Sequence, residues 1–196
     1  MSKKIILIAG PTASGKSKLA IEIAKKIKGE IINADSMQVY KDFSVLSSRP
    51  STSDLKKIKH HFYGFLSAKK HFSTGVWLAL VKKKINECIK NKRTPILVGG
   101  TGLYFEAITK GISKIPNIDL KLRNKIRALQ IKLGQKKFYQ KLLNLDPLVK
   151  NKIEPFDTQR SIRAYEVKQF TNKSIFEWYE LTKSEFKQFE IFKFFI

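Results

Sequence analysis

A single cysteine, Cys88, excludes an internal disulfide framework and a Cys-based zinc site. Long apolar runs are missing as well. Stretches such as Ile5 to Ala9 and Pro95 to Val98 fall far below the roughly 18 residues that a membrane-spanning helix needs. The start of the chain, Met1-Ser2-Lys3-Lys4 and a short apolar run, has neither the apolar core nor the small-residue cleavage site of a signal peptide. Glycine (10) and proline (6) are too few for a collagen-like or low-complexity chain. These absences predict a cytoplasmic protein with no membrane partner, and a monomer is the expected state. Acidic residues are scarce too, at 16 against 39 Lys and Arg, for a net charge of +23. Such a protein draws polyanions from a distance, nucleic acid first among them, although genomic drift toward lysine would also inflate the charge. Arginine is the rare base. Four of its six positions, Arg123, Arg127, Arg160 and Arg163, fall in one stretch, where a planar fork suits phosphate better than an ammonium does.

What is present alternates. Lys3 to Ala9 is a continuous apolar run, as expected of a strand buried on both faces of a parallel sheet. Leu19, Ala20, Ile23, Ala24 and Ile27 then recur at helical spacing, with Gly29 read as the C-cap. Glu30 to Asn33 predicts a second strand, and Pro95 to Val98 a third. Between them, Ser51 to Asp54 caps a short helix, and a longer one opens at Thr74 or Gly75. This strand–loop–helix order predicts an α/β fold, a P-loop NTPase-like three-layer core with a parallel sheet. After Gly111 the pattern becomes helical and basic, with eleven Lys or Arg and two acids between Lys114 and Lys152. Four helices in a row read as an all-helical insertion. The expected organisation is a catalytic core over 1–115, the insertion over 116–183, and a strand over 184–196 that returns to the sheet, with the remainder of the core absent. Phe189 to Ile196 reads as a buried strand short of part of its cover.

Gly10, Pro11, Thr12, Ala13, Ser14, Gly15, Lys16 and Ser17 fit G-x-x-x-x-G-K-[ST] between a strand and a helix. Successive amides and the helix N-terminus converge on one volume, Lys16 adds charge, and Ser17 can offer its hydroxyl to Mg²⁺. A phosphate or diphosphate is the expected ligand. The third strand discriminates among reactions: it ends in Gly99-Gly100-Thr101-Gly102, without the carboxylate that NTP-hydrolysing relatives of this loop use for Mg²⁺. Asp35, after the second strand, projects over the same sheet edge as a general base or as a cap on the next turn. His60 and His61 suit helix-end or surface positions better than metal ligation, and Trp77 suits the core. Arg160 and Arg163, three apart, share one helix face, which either grips phosphate or is simply solvated.

With these segments in order, the chain resembles the isopentenyl-tRNA transferase (tRNA dimethylallyltransferase) family. The matching stretches are Gly10 to Ser17, Asn33 to Tyr40, Arg49-Pro50, His60-His61, Phe72-Ser73, Leu97 to Tyr104 and Asp157 to Val167. They fall in family order along nearly the whole chain. Two departures are visible: the acid usual shortly after His-His is missing from His60-His61-Phe62-Tyr63-Gly64-Phe65, and Tyr165 stands where Leu is usual. The resemblance implies transfer of a dimethylallyl group from dimethylallyl diphosphate to N6 of the adenine 3′-adjacent to the anticodon, position 37 of tRNA. It implies that Thr12 to Ser17 hold the diphosphate, with Mg²⁺ at Ser17. Asp35 would be the base, Asp35, Ser36, Met37 and Gln38 would line the adenine pocket, and Thr101 would touch the reacting centre. Arg123 would contact the tRNA, and Gln159, Arg160, Ser161, Ile162 and Arg163 the anticodon loop. The alternatives are a P-loop kinase or NTPase, and a non-catalytic RNA-binding fragment.

Overall fold

A computed structural model describes residues 3–43 and 48–196; the first two residues of the expected 1–115 segment lie outside them. These residues form two compact units. One runs to Gly111 and resumes at Ser184, and the other is Ile112–Lys183.

The first unit is built on five parallel strands: β1 (Lys4–Ala9), β2 (Gly29–Asn33), β3 (His60–His61), β4 (Thr94–Gly99) and β5 (Glu190–Phe195), in the order β3-β2-β4-β1-β5. All five residues of β2, Ile5–Ile8 of β1 and Pro95–Gly99 of β4 are buried, which is why β1 and β4 read as apolar runs rather than alternating ones, while β2 buries Glu30 and Asn33 beside Ile31 and Ile32. Helix α1 (Lys16–Ile27) covers one face. Its Ala20, Ile21 and Ala24 pack on Ile6, Ile8, Ile31, Ile96 and Val98. Helix α2 (Thr52–Lys57) starts at Ser51, whose side chain accepts from Asp54 N–H. Helices α3 (Thr74–Lys90) and α4 (Gly102–Thr109) contact each other through a stacked pair: the Trp77 and Tyr104 rings lie 4.1 Å apart at 13°. Trp77 is fully buried, and its indole N–H donates to the Asn33 carbonyl at 2.9 Å. It is a core residue, as its spacing predicts.

Three expectations need correction. Gly29 does not cap α1. Lys28 takes the left-handed conformation instead (φ 54°), and Gly29 begins β2 in contact with α1. A Cβ on Gly29 would lie 2.6 Å from Ile96 Cδ1 and 3.1 Å from Ala24 Cα, so this glycine is fixed by close helix–strand packing rather than by backbone freedom. His60 and His61 are neither helix-end nor surface residues. They form β3, half-buried on the sheet margin, with His61 Nε2 2.7 Å from Glu30 Oε2 and His60 Nδ1 2.8 Å from the Ile58 carbonyl. The strand over 190–195 joins β1 as expected but is not buried: Phe192, Phe194 and Phe195 are exposed on the outermost strand.

The second unit is helical. Helix α5 (Leu120–Leu145) is interrupted at Gly134 (φ 71°, ψ 161°), a conformation that falls to glycine, so two helices stand where the sequence pattern shifts. Helices α6 (Thr158–Thr171) and α7 (Ile175–Glu180) follow. Asp119, Asp157 and Ser174 cap the three starts by accepting backbone N–H bonds, and Glu177 completes a capping box with Ser174. Ile126, Phe138, Leu142, Val149, Ala164 and Val167 form the core. Among the described residues no helix is long and apolar enough to cross a membrane.

Candidate active site

Three loops leave the carboxyl ends of β1, β2 and β4, the edge where α/β proteins bind ligands. The first, Gly10 to Gly15, wraps onto α1. Ala13 (φ 66°) and Gly15 (φ 87°) are left-handed, and Gly15 has open space around its missing Cβ, so dihedral freedom rather than room selects glycine there. Pro11, Thr12 and Ala13 are exposed, whereas Lys16 is 7% exposed and its Nζ donates to the Pro11 carbonyl at 2.6 Å. Burial lowers the Lys16 pKa, and the charge of Asp35 partly opposes that shift. Ser14 Oγ is buried with no hydrogen-bond partner. A buried hydroxyl without a partner calls for an explanation, and a bound anion or water at the loop would supply one. Ser17 sits half-buried in the first turn of α1.

The second loop brings Asp35 over the glycines of the third. Asn33, fully buried, organises it: its Oδ1 accepts from Asp35 N–H at 2.9 Å, and its Nδ2 donates to the carbonyls of Asp35 (3.0 Å) and Phe62 (3.1 Å). Asp35 Oδ1 accepts from Met37 N–H at 2.9 Å, while Oδ2 lies 3.6 Å from where a Cβ on Gly100 would stand. One oxygen therefore closes a turn and the other faces the glycine loop, so the cap and the base readings are compatible. Gly99 is pressed against the Ala34 carbonyl so closely that no side chain fits. Thr101 precedes α4, yet its hydroxyl makes no cap bond; it accepts from Ser36 N–H at 2.8 Å and donates to Ser36 Oγ at 3.2 Å. Met37 is half-exposed, and Gln38 is buried with its carbonyl accepting from Gly64 N–H at 2.8 Å. Asp35 also raises the pKa of two neighbouring phenols: burial and then Asp35 push Tyr63 up, and burial, Tyr40 and Asp35 push Tyr104 up to about 12. A mostly apolar cavity of about 250 Å³ opens beside Gly100, walled by Leu7, Ala9, Phe105, Thr109 and Phe194.

In the helical unit the expected RNA contacts divide. Gln159 and Arg160 are exposed, and Arg160 Nη1 lies 3.1 Å from Asp157 Oδ2. Arg163 and Arg123 converge on Glu166, Nη1 at 3.4 Å and Nε at 3.5 Å from one carboxylate oxygen. Ser161 points inward: it is fully buried, and its hydroxyl accepts from Gln135 Nε2 at 3.2 Å. Ile162 packs against the helical core. Neither of these side chains belongs to the exposed face, because a helix that buries one stripe must turn every third or fourth residue inward.

Sequence reasoning missed Asn33, Glu166 and Glu30. Glu30, buried, meets His61 and also Cys88 Sγ at 3.7 Å, which together with burial pushes the thiol pKa up to about 12. All three are polar residues inside apolar patterns, a signal that periodicity discards.

A model of the IPP transferase family matches residues 38–196. The chain is 60% identical to the tRNA dimethylallyltransferase of Pelagibacter ubique (strain HTCC1062) over 97% of its length and 61% of the relative's. It is 48% identical to that of Rickettsia massiliae (strain Mtu5), over 93% of the chain and 50% of the relative. The chain therefore spans between half and three-fifths of these relatives. A solved eukaryotic dimethylallyltransferase acting on tRNA matches 99% of the chain and 48% of its own, at 28% identity and a TM-score of 0.84. The tRNA isopentenylpyrophosphate transferase of Bacillus halodurans matches 87% of the chain and 57% of its own, at 32% identity and a TM-score of 0.57. Four-fifths of the sequence under one family model, a fold shared with solved members and the phosphate loop facing Asp35 agree: the chain belongs to the IPP transferase family.

Proposed function

We propose that this protein transfers a dimethylallyl group from dimethylallyl diphosphate to N6 of adenine 37 in tRNA, with the core supplying the chemistry and the helical unit the RNA contacts. The observation that carries this reading is that the loop holding buried Lys16 and the carboxylate of Asp35 both border Gly100, with Gly10 O 3.4 Å and Asp35 Oδ2 3.6 Å from where its Cβ would stand: a cation for a departing anion and a carboxylate for a departing proton at one sheet edge.

The loop amides, Lys16 and Ser14 Oγ bind the diphosphate. Charge grows on the bridging oxygen as the allylic C–O bond breaks, and removing one preorganised donor to such a charge typically costs ~3–4 kcal/mol of barrier. The N6–C bond forms as that bond breaks; diphosphate leaves with the electron pair, and the N6 proton passes to Asp35. The amine is barely acidic, so the proton moves late, once nitrogen carries positive charge. A placed base of this kind contributes about 10²–10⁴ in rate. Thr101 fastens the Asp35 loop, and the apolar cavity beside Gly100 suits the isoprenoid tail. The adenine reaches Asp35 only when it leaves the loop stack.

A divalent ion fits this site. Mg²⁺ is commonly held by one or two protein oxygens and the substrate phosphates, and no cluster of three His, Cys, Asp or Glu exists among the described residues to cage it alone. Ser17 would hold it, and it would neutralise charge on the diphosphate. A tRNA acceptor supports a cytoplasmic setting. Beyond Asp35 the site offers no carboxylate at the β4 turn, which disfavours the kinase reading.

The test incubates the protein with labelled dimethylallyl diphosphate, Mg²⁺ and a tRNA bearing an A-A-A run at positions 36–38. Label at N6 of adenine 37 is expected. Intact tRNA binding without product would leave an RNA-binding protein, and ATP outcompeting the prenyl donor would leave a phosphate-transfer enzyme.

A further inference from the structure

The helical unit contains a second cavity, of about 240 Å³, lined by Lys152, Ile153, Arg160, Arg163, Ile175, Phe176 and Tyr179. Its composition is specific. Ile153 and Ile175, both buried, make an apolar floor. Phe176 and Tyr179, which both line the cavity, meet edge to face, ring centres 5.8 Å apart at 88°. Tyr179 is 52% exposed. Lys152 Nζ stands 4.7 Å over the Phe176 ring, and the Arg160 and Arg163 guanidiniums are close enough to the Tyr179 phenol to oppose the pKa rise that burial gives it. Each guanidinium has five N–H donors, and one ion pair, to Asp157 or to Glu166, uses only part of that set.

Three cations around a slot with an apolar floor and an aromatic wall ask for a ligand that is flat, π-rich and tied to an anion. A nucleotide has that chemistry. A paired nucleotide does not offer it, because in a duplex both faces of the base are covered by its neighbours; only an unpaired, splayed base presents a face. The volume is below that of pockets for drug-sized ligands, which limits the occupant to a base-sized group.

We infer that this cavity is a stacking subsite for one unpaired nucleotide of the RNA loop, with Tyr179 as the platform and Lys152, Arg160 and Arg163 on its phosphates. This rests on the tRNA reading above and adds to it a residue that reads loop shape at a place distinct from the Asp35 site. Glu166 is a positioning residue here, since its buried carboxylate holds Arg163.

The test uses the full chain and two RNAs: a 17-nucleotide anticodon stem-loop and a blunt duplex of matched length. Wild type is expected to prefer the stem-loop. Tyr179→Ala lowers stem-loop affinity about tenfold, leaves duplex affinity and the salt slope unchanged, and Tyr179→Phe restores the loss. Lys152→Gln lowers the salt slope by about one for the stem-loop. Unchanged stem-loop affinity in Tyr179→Ala overturns the subsite while leaving the tRNA reading intact, as does a Tyr179→Phe loss equal to that of alanine. Failure of wild type to bind either RNA removes both. Tyr179 is half-exposed, so truncation leaves the helical core in place.

Discussion

The Thr101 hydroxyl bonds to both the backbone N–H and the side-chain hydroxyl of Ser36, 65 residues away in sequence, and so clamps the loop after β2 to the loop after β4. Because Asp35 precedes Ser36, this clamp sets where the carboxylate stands. Thr101→Val keeps the shape but leaves Ser36 N–H unpaired, so transfer is expected to fall about 10-fold or more, the equivalent of one lost buried hydrogen bond. Thr101→Ser should recover most of it; single-turnover rates of N6 modification report both.

Asp35→Asn is the sharper test of the base. Asparagine retains an oxygen for Met37 N–H, so the turn closes, but it accepts no proton. Transfer is expected to drop by about 10²–10⁴, with tRNA affinity unchanged in a filter-binding titration. Residual transfer within tenfold of wild type would remove Asp35 from that role.

Lys16 gives the site a pH signature. Burial lowers its pKa, so in the folded chain it loses its proton below the 10.5 of an exposed lysine. The folded chain then carries fewer protons than the unfolded chain in that alkaline window, and this group's contribution to stability rises with pH there. Diphosphate binding runs the other way, because the anion requires the charged form. Calorimetry with inorganic pyrophosphate should show affinity falling earlier in alkali than for a surface lysine, with proton uptake on binding; Lys16→Met should abolish the uptake.

Gly99→Ala addresses packing. A methyl group there meets the Ala34 carbonyl and the Asp35 N–H, which are backbone atoms that cannot rotate away. A loss of at least the 1–3 kcal/mol typical of overpacking is expected in the denaturant midpoint. By contrast, Gly15→Ala meets no atom and should cost only the strain of its positive φ.

Arg160→Ala should weaken tRNA binding and reduce the salt slope by about one, since Arg160 is exposed and tied only to Asp157 among the contacts seen. Arg123→Ala should behave differently, costing helical-unit stability as well, because its guanidinium faces the buried Glu166. Paired measurements of salt slope and thermal midpoint separate the two.

Much of this was legible in advance where one interaction dominates. β1 and β4 were readable because strands buried on both faces favour apolar residues, and β2 through its Ile31-Ile32 pair, although it also buries Glu30 and Asn33. The phosphate loop was readable because its spacing is dictated by phosphate geometry. The place of Asp35 at the sheet edge was readable because it follows a strand directly. Legibility failed where distant partners decide. His60 and His61 look like surface polar residues until β2 is beside them and Glu30 is in reach. Gly29 looks like a helix stop until Ile96 lies against it. Ser161 and Ile162 sit in a matching motif, but the helical periodicity of α6 turns them inward. Glu166 carries Arg123 and Arg163, which the resemblance assigns to RNA.

The outermost strand has a further consequence. Among the described residues β5 is the edge strand of the sheet, with Phe192, Phe194 and Phe195 exposed on it, an arrangement through which sheets join edge to edge. Lys193 in the middle of that strand, together with the net charge of +23, opposes the encounter by mutual repulsion. That protection weakens as ionic strength rises and the Debye length shrinks toward roughly 3 Å at 1 M. Colloidal behaviour and attraction for polyanions are therefore governed by the same charge: salt that screens one also withdraws the force keeping molecules apart.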